Sequence, residues 1–208
     1  MFKIDFRLYL ITNRKLCSNL SLQNVIEQAV KSGLKAVQLR ENDLSDDELL
    51  KLANQIYTIT SNANAKLFIN SNIDIVSKIN ADGIHCKENG LSVKIVRKYL
   101  PSCLIGVSVH SLRSAYQAES DGADFIVFGP IYSTPTKITY GLPQGLDKLQ
   151  EITSSIKLPV FAIGGISPEK AKECLDAGAF GVAVVSSIMS SNNIPKVIEE
   201  YKEVLGDL

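Results

Sequence analysis

Eight times along the chain, a short run of almost continuously apolar residues is followed by an amphipathic stretch and a brief joint. The apolar runs are Phe6 to Thr12, Ala36 to Arg40, Lys66 to Asn70, Gly83 to Cys86, Leu104 to Val109, Ala123 to Phe128, and the segments PVFAIGG and GVAVVSS near the end. Between and after them, helical periodicity covers Leu22 to Ser32, Asp46 to about Thr60, Ile73 to Asn80, Val93 to Leu100, LRSAYQAESDG, Leu146 to Ser155, PEKAKECLDAG and IPKVIEEYKEVL. Strands without polar alternation are buried on both faces, which calls for a parallel sheet covered by helices. Eight such units favour a closed α/β architecture, the (β/α)8 TIM barrel, as a single domain over residues 1–208. The fold typically takes ~250 residues, so most joints here must be short. Residues 129–145, GPIYSTPTKITYGLPQG, are the exception, and a long ordered loop in a compact domain usually serves function.

Charge narrows the partners. Lys and Arg total 22 and Asp and Glu total 22, so no global field favours nucleic acid or an acidic membrane surface. No apolar run approaches the ~20 residues of a membrane span. The cysteines, Cys17, Cys86, Cys103 and Cys174, lack metal-ligand spacing, and no secretory signal pattern precedes them. Structural thiols in a reducing cytoplasm are expected, with a small neutral or anionic molecule as the partner.

In a barrel all strand ends converge on one carboxyl face, where chemistry occurs. His110, one of two histidines, ends LIGVSVH just before the N-cap type Ser111. Arg40 ends AVQLR, and its planar fork suits a carboxylate or phosphate. Gly164 and Gly165 follow the seventh strand, and Ser186 and Ser187 follow the eighth before a short helical turn. Backbone N–H groups at such turns converge on an anion, so a phosphate is expected there. His85 lies inside the fourth strand and reads as a hydrogen-bonded structural residue.

Seven segments in order, QLRE, FIN, ADGIH, GVSVHS, GADFIVFGPIYSTPTK, FAIGGI and AGAFGVAVVSSI, resemble the thiamin phosphate synthase and thiazole tautomerase superfamily over nearly the whole chain. The resemblance implies a (β/α)8 barrel that handles a phosphorylated thiazole in bacterial thiamin biosynthesis, and suggests a homodimer. It implies substrate contacts from Gln38, Arg40, Asn70 and Ser108. Thr134, Thr136 and Lys137 fall in its loop motif, and Gly164, Gly165, Val185, Ser186 and Ser187 at its phosphate end.

The two branches differ in chemistry. The synthase pattern adds Mg²⁺ held by acidic residues, and here Asn42, Ser71 and Gly90 stand where it carries a lysine and two acids. Asp74 and Glu88 are nearby but read as surface acids, and Glu41 is ambiguous between a surface acid and a site group. The tautomerase branch lacks those acids and keeps a histidine where this chain has His110. The expectation is therefore a metal-free, cofactor-free isomerase, with His110 carrying the proton near its unperturbed pKa of ~6.5. The first alternative is an Mg-dependent thiamin phosphate synthase, which TPTK (Thr134 to Lys137) supports. The second is a non-catalytic thiazole-phosphate-binding regulator, against which the lack of a basic or helix-turn-helix signature argues.

Overall fold

In a computed structural model, residues 4–17, 19–133 and 142–206 are described. Eight parallel strands close into one barrel in sequence order: β1 (Leu8–Ile11), β2 (Ala36–Leu39), β3 (Lys66–Asn70), β4 (Gly83–Cys86), β5 (Leu104–Val109), β6 (Phe125–Phe128), β7 (Val160–Ile163) and β8 (Gly181–Val184). Leu8 registers with Val182, which joins β1 to β8 and leaves no free edge. The crossovers are α1 (Leu22–Lys31), α2 (Asp46–Asn62), α3 (Ile73–Ile79), α4 (Val93–Tyr99), α5 (Leu112–Asp121), α6 (Gly145–Ser155) and α7 (Pro168–Asp176). A short α8 (Ser186–Met189) precedes the last helix, α9 (Ile194–Leu205). The expected (β/α)8 barrel is the observed one. A 3-10 turn at Arg14–Leu16 was not anticipated.

Local chemistry sets the boundaries. Ser111 caps α5 by accepting from the backbone N–H of Ser114 at 3.1 Å, and Gly122 ends it in the left-handed region at φ 90°. Ser45 and Glu48 form a capping box on α2.

Two cores result from the alternation of side chains along each strand. Leu8, Leu10, Val37, Leu39, Leu67 and Ile69 pack outward against the helices. Tyr9, Ala36, Phe68, Leu104, Phe125 and Phe161 belong to the other cluster, in the barrel interior, where Phe6 joins them. The Phe6 ring centroid lies 5.7 Å from those of Phe68 and Phe125 and 5.3 Å from Phe161, so aromatic rings plug the lower barrel. Glycines make room for them: a Cβ on Gly83 would strike the Phe68 ring, and one on Gly106 would strike Phe125 and stand 2.8 Å from His85 Nδ1.

Gly106→Ala is accordingly expected to destabilise the fold by about 1–3 kcal/mol, the usual cost of overpacking. Urea unfolding reads the loss, and Phe125→Leu in the same chain should recover part of it. An alanine variant as stable as the parent would show that the interior is looser than described.

Candidate active site

Two-residue steps up each strand carry side chains from the aromatic plug to the carboxyl mouth. In β2 the steps run Ala36, Gln38, Arg40; in β5 they run Leu104, Gly106, Ser108, His110. Gln38, Arg40, Asn70, Ser108, His110, Val185 and Ser186 together line a cavity of about 650 Å³, with Asn13, Lys87, Glu88, Asn89 and the Gly129–Pro130 segment completing it. These seven expected site residues are thus brought together. Gly164 and Gly165 occupy the β7–α7 turn beside it at φ 105° and 68°, conformations that favour glycine. Ser187 behaves differently: its Oγ is 2.9 Å from the Tyr201 hydroxyl and it does not line the cavity. Thr134, Thr136 and Lys137 lie outside the described residues.

The floor of the mouth is a polar layer. Gln38, 1% exposed, donates through Nε2 to Asn70 Oδ1 at 3.0 Å, and Asn70 donates in turn to Asn42 Oδ1 at 3.3 Å. Gln38 Oε1 is buried with no hydrogen-bond partner among the described residues. A buried acceptor left unmet costs about 1–3 kcal/mol, a cost that a donor from water or a ligand relieves. Beside it, the Arg40 backbone N–H donates to Thr12 Oγ1 at 2.9 Å, while no described residue bonds or ion-pairs the guanidinium.

His85 lies just beneath. Its Nε2 is 2.9 Å from Ser108 Oγ and its Nδ1 3.5 Å from the Tyr9 hydroxyl. Burial, and then the nearby Arg40 charge, push its pKa down to about 3, so it is a neutral imidazole that orients Ser108. The structural reading of His85 holds, with the addition that it touches a mouth residue.

At the rim, His110 Nδ1 is 2.7 Å from Glu88 Oε2, and the His110 backbone N–H donates to Glu88 Oε1 at 3.4 Å. Partial burial would push the Glu88 carboxyl up, but hydrogen bonds from Ser114 and His110 outweigh it and hold it below the ordinary value. Glu88 is therefore no solvated surface acid, a correction to the sequence reading. Nothing along the sequence marks it, because residues 88 and 110 meet only through the β4–β5 register, which pairs His85 with Gly106. Glu41 is no surface acid either, and it does not line the cavity: its carboxylate, 5% exposed, accepts from the Arg14 backbone at 3.0 Å and the Arg14 guanidinium at 3.1 Å. It braces the 3-10 turn below the rim. Cys86, Cys103 and Cys174 are free and buried, and burial pushes their thiols up to about 11, 12 and 11, as expected of structural cysteines.

A closed barrel with a cationic, hydrogen-bonding mouth at the strands' carboxyl ends is the arrangement of a barrel enzyme. The chain matches the family described as Thiamine monophosphate synthase over residues 8–188, and it belongs to that family. It is 46% identical over 191 residues to a putative thiamine-phosphate synthase of Geobacter sulfurreducens, covering 91% of this chain and 90% of that one. It is 38% identical over 192 residues to a thiamine-phosphate synthase of Clostridium novyi, covering 92% and 94%. A solved thiamine phosphate pyrophosphorylase from Pyrococcus furiosus superposes with a TM-score of 0.86 at 30% identity, covering 96% and 95%.

These relatives overturn the expectation of a thiazole tautomerase. Relatives between 33% and 46% identical over nearly the full length carry the thiamine-phosphate synthase name. The expectation leaned on His110 and on missing acids; the unmet Gln38 acceptor, which no motif displays, had no part in it.

The neutral His85 yields a pH dependence. An unfolded histidine protonates near ~6.5, whereas folded His85 does so only near about 3. Between those values the unfolded chain holds more protons, so stability present above pH ~6.5 is lost as pH falls, by up to roughly 1.4 kcal/mol per pH unit. Urea unfolding from pH 7 to 5 should show a smaller acid-induced loss in His85→Gln than in the parent. Equal losses would mean that His85 is not held neutral.

Proposed function

We propose that this chain is a thiamine-phosphate synthase. It joins hydroxymethylpyrimidine diphosphate to thiazole phosphate: the thiazole nitrogen forms a C–N bond at the pyrimidine methylene as the C–O bond breaks and pyrophosphate leaves with the electron pair. The observation that carries this reading is the pair of unmet groups in the mouth, Gln38 Oε1 and the Arg40 guanidinium. An aminopyrimidine brings the N–H donor that the first lacks, and a diphosphate brings the anionic oxygens that suit the second. A thiazole phosphate alone has no N–H to offer Gln38.

The remaining site residues take roles consistent with their places. Asn70 holds the Gln38 amide, and Ser108, fixed by His85, offers its hydroxyl to the pyrimidine. The Gly164–Gly165 turn, Val185 and Ser186 receive the thiazole phosphate through backbone N–H groups. Ser187 contributes at most its backbone, since its hydroxyl faces Tyr201. Thr134, Thr136 and Lys137, outside the described residues, take the diphosphate in this reading. His110 gives a proton to the departing pyrophosphate oxygen. No helix among the described residues is long and apolar enough to cross a membrane. The free, buried cysteines suit a reducing cytoplasm.

The synthase pattern implies Mg²⁺, and the residues at this mouth do not fit it. Mg²⁺ takes oxygen ligands, chiefly carboxylates. Ser71 turns both its hydroxyl and its backbone N–H to the His85 carbonyl, Gly90 has no side chain, and Glu88 is engaged by His110. No group of three or more His, Cys, Asp or Glu among the described residues could hold a metal. Neutralising the diphosphate falls to Arg40 and Lys87 at the mouth.

Incubating the purified protein with both substrates, once with Mg²⁺ and once with a chelator, tests the assignment by thiamin phosphate formed. Product in both arms is expected. No product in either arm overturns the synthase reading, while product only with Mg²⁺ overturns the cation-free charge balance. Arg40→Ala should lower kcat/KM by about 100-fold or more, the scale of losing a charge stabiliser in the transition state; an unchanged value would remove Arg40 from the site.

A further inference from the structure

We infer that Glu88 is a positioning residue that fixes His110 in its Nδ1–H tautomer and leaves Nε2 as the working nitrogen. Both carboxylate oxygens meet His110: Oε2 is 2.7 Å from the imidazole Nδ1, and Oε1 accepts from the His110 backbone N–H at 3.4 Å, with the Ser114 side chain also bonding the carboxylate. A carboxylate accepts and cannot donate, so the nitrogen it meets carries the proton. Among the described residues none bonds Nε2, and the His110 side chain is 44% exposed at the rim of the cavity, against 25% for Glu88. The two sit on neighbouring strand ends, Glu88 just beyond β4 and His110 just beyond β5, so the barrel itself sets their separation. Ser111, the next residue, is held as the α5 cap, which fixes the backbone from which the imidazole projects.

The consequence for chemistry rests on the synthase reading. A doubly protonated imidazole gives its Nε2 proton to the pyrophosphate oxygen as the C–O bond breaks. What remains is the neutral Nδ1–H tautomer, already paired with Glu88. No rearrangement of the ring is needed, which is the benefit of orienting a general acid through its second nitrogen. Glu88 touches no substrate in this scheme and acts only through His110.

Nitrogen-15 NMR of imidazole-labelled full-length protein reads the tautomer directly, with His110→Asn distinguishing His110 signals from those of His85. The neutral form of His110 is expected as Nδ1–H in the parent. In Glu88→Gln, whose amide oxygen still accepts, that tautomer should be retained. In Glu88→Ala it should give way to the Nε2–H form that free imidazole prefers. An Nε2–H tautomer in the parent, or a tautomer unmoved in Glu88→Ala, would overturn the inference. These outcomes stand whether or not the protein makes thiamin phosphate, so failure of the pair and failure of the synthase reading are separable. Where turnover is observed, Glu88→Ala should lower kcat up to about 100-fold with KM little changed, the scale of a misoriented catalytic group.

Discussion

Parallel pairing of eight strands in a closed register is the constraint from which the site follows. Each strand sends alternate residues inward, so a one-residue slip in β2 would turn Gln38 and Arg40 out and carry Val37 and Leu39 in. The same register stacks Phe68 and Phe125 against Gly83 and Gly106, where any side chain would collide. Aromatic rings thus fill the bottom, while on β2 to β5 the inward residues higher up are polar and meet across strands. Gln38 reaches Asn70 from β2 to β3, His85 reaches Ser108 from β4 to β5, and Glu88 reaches His110 just above.

Burial of that polar layer decides its electrostatics. His85, enclosed by Tyr9, Phe125 and Ser108, is kept neutral by desolvation and by Arg40, so it orients a hydroxyl without adding charge. Positive charge is concentrated instead at the open end, on Arg40 and Lys87. One acceptor on Gln38 has no donor among the described residues, a cost that a ligand can relieve. With Ser71 turned away and Gly90 bare, the proposed synthase chemistry would rest on fixed cations and hydrogen-bond donors.

The fold was legible in the sequence because its signals are local. Continuous apolar runs such as LIGVSV leave no exposed face, Ser111 and Gly122 delimit α5 by their own chemistry, and repetition implied closure. The strand-end residues Arg40, Asn70 and His110 were legible for the same reason, since a strand end in a barrel is a position on the catalytic face. What stayed hidden depends on register or on atoms left without partners. Glu88 looked like a surface acid because its partner is 22 residues away. Ser187 looked like a phosphate donor because Tyr201, on α9, is invisible from β8. The branch of the family was misjudged because absent acids and a present histidine are readable in a motif, whereas the orphaned Gln38 oxygen appears only once β2 and β3 are side by side.

Calorimetric titration of the parent and of Arg40→Ala with hydroxymethylpyrimidine diphosphate, in the presence of a chelator, addresses the role of the unmet Arg40 and Gln38 groups most directly. Binding by the parent without a divalent cation, lost or weakened by an order of magnitude or more in Arg40→Ala, is the predicted result. Absence of binding until Mg²⁺ is supplied, or equal binding by both proteins, would contradict it.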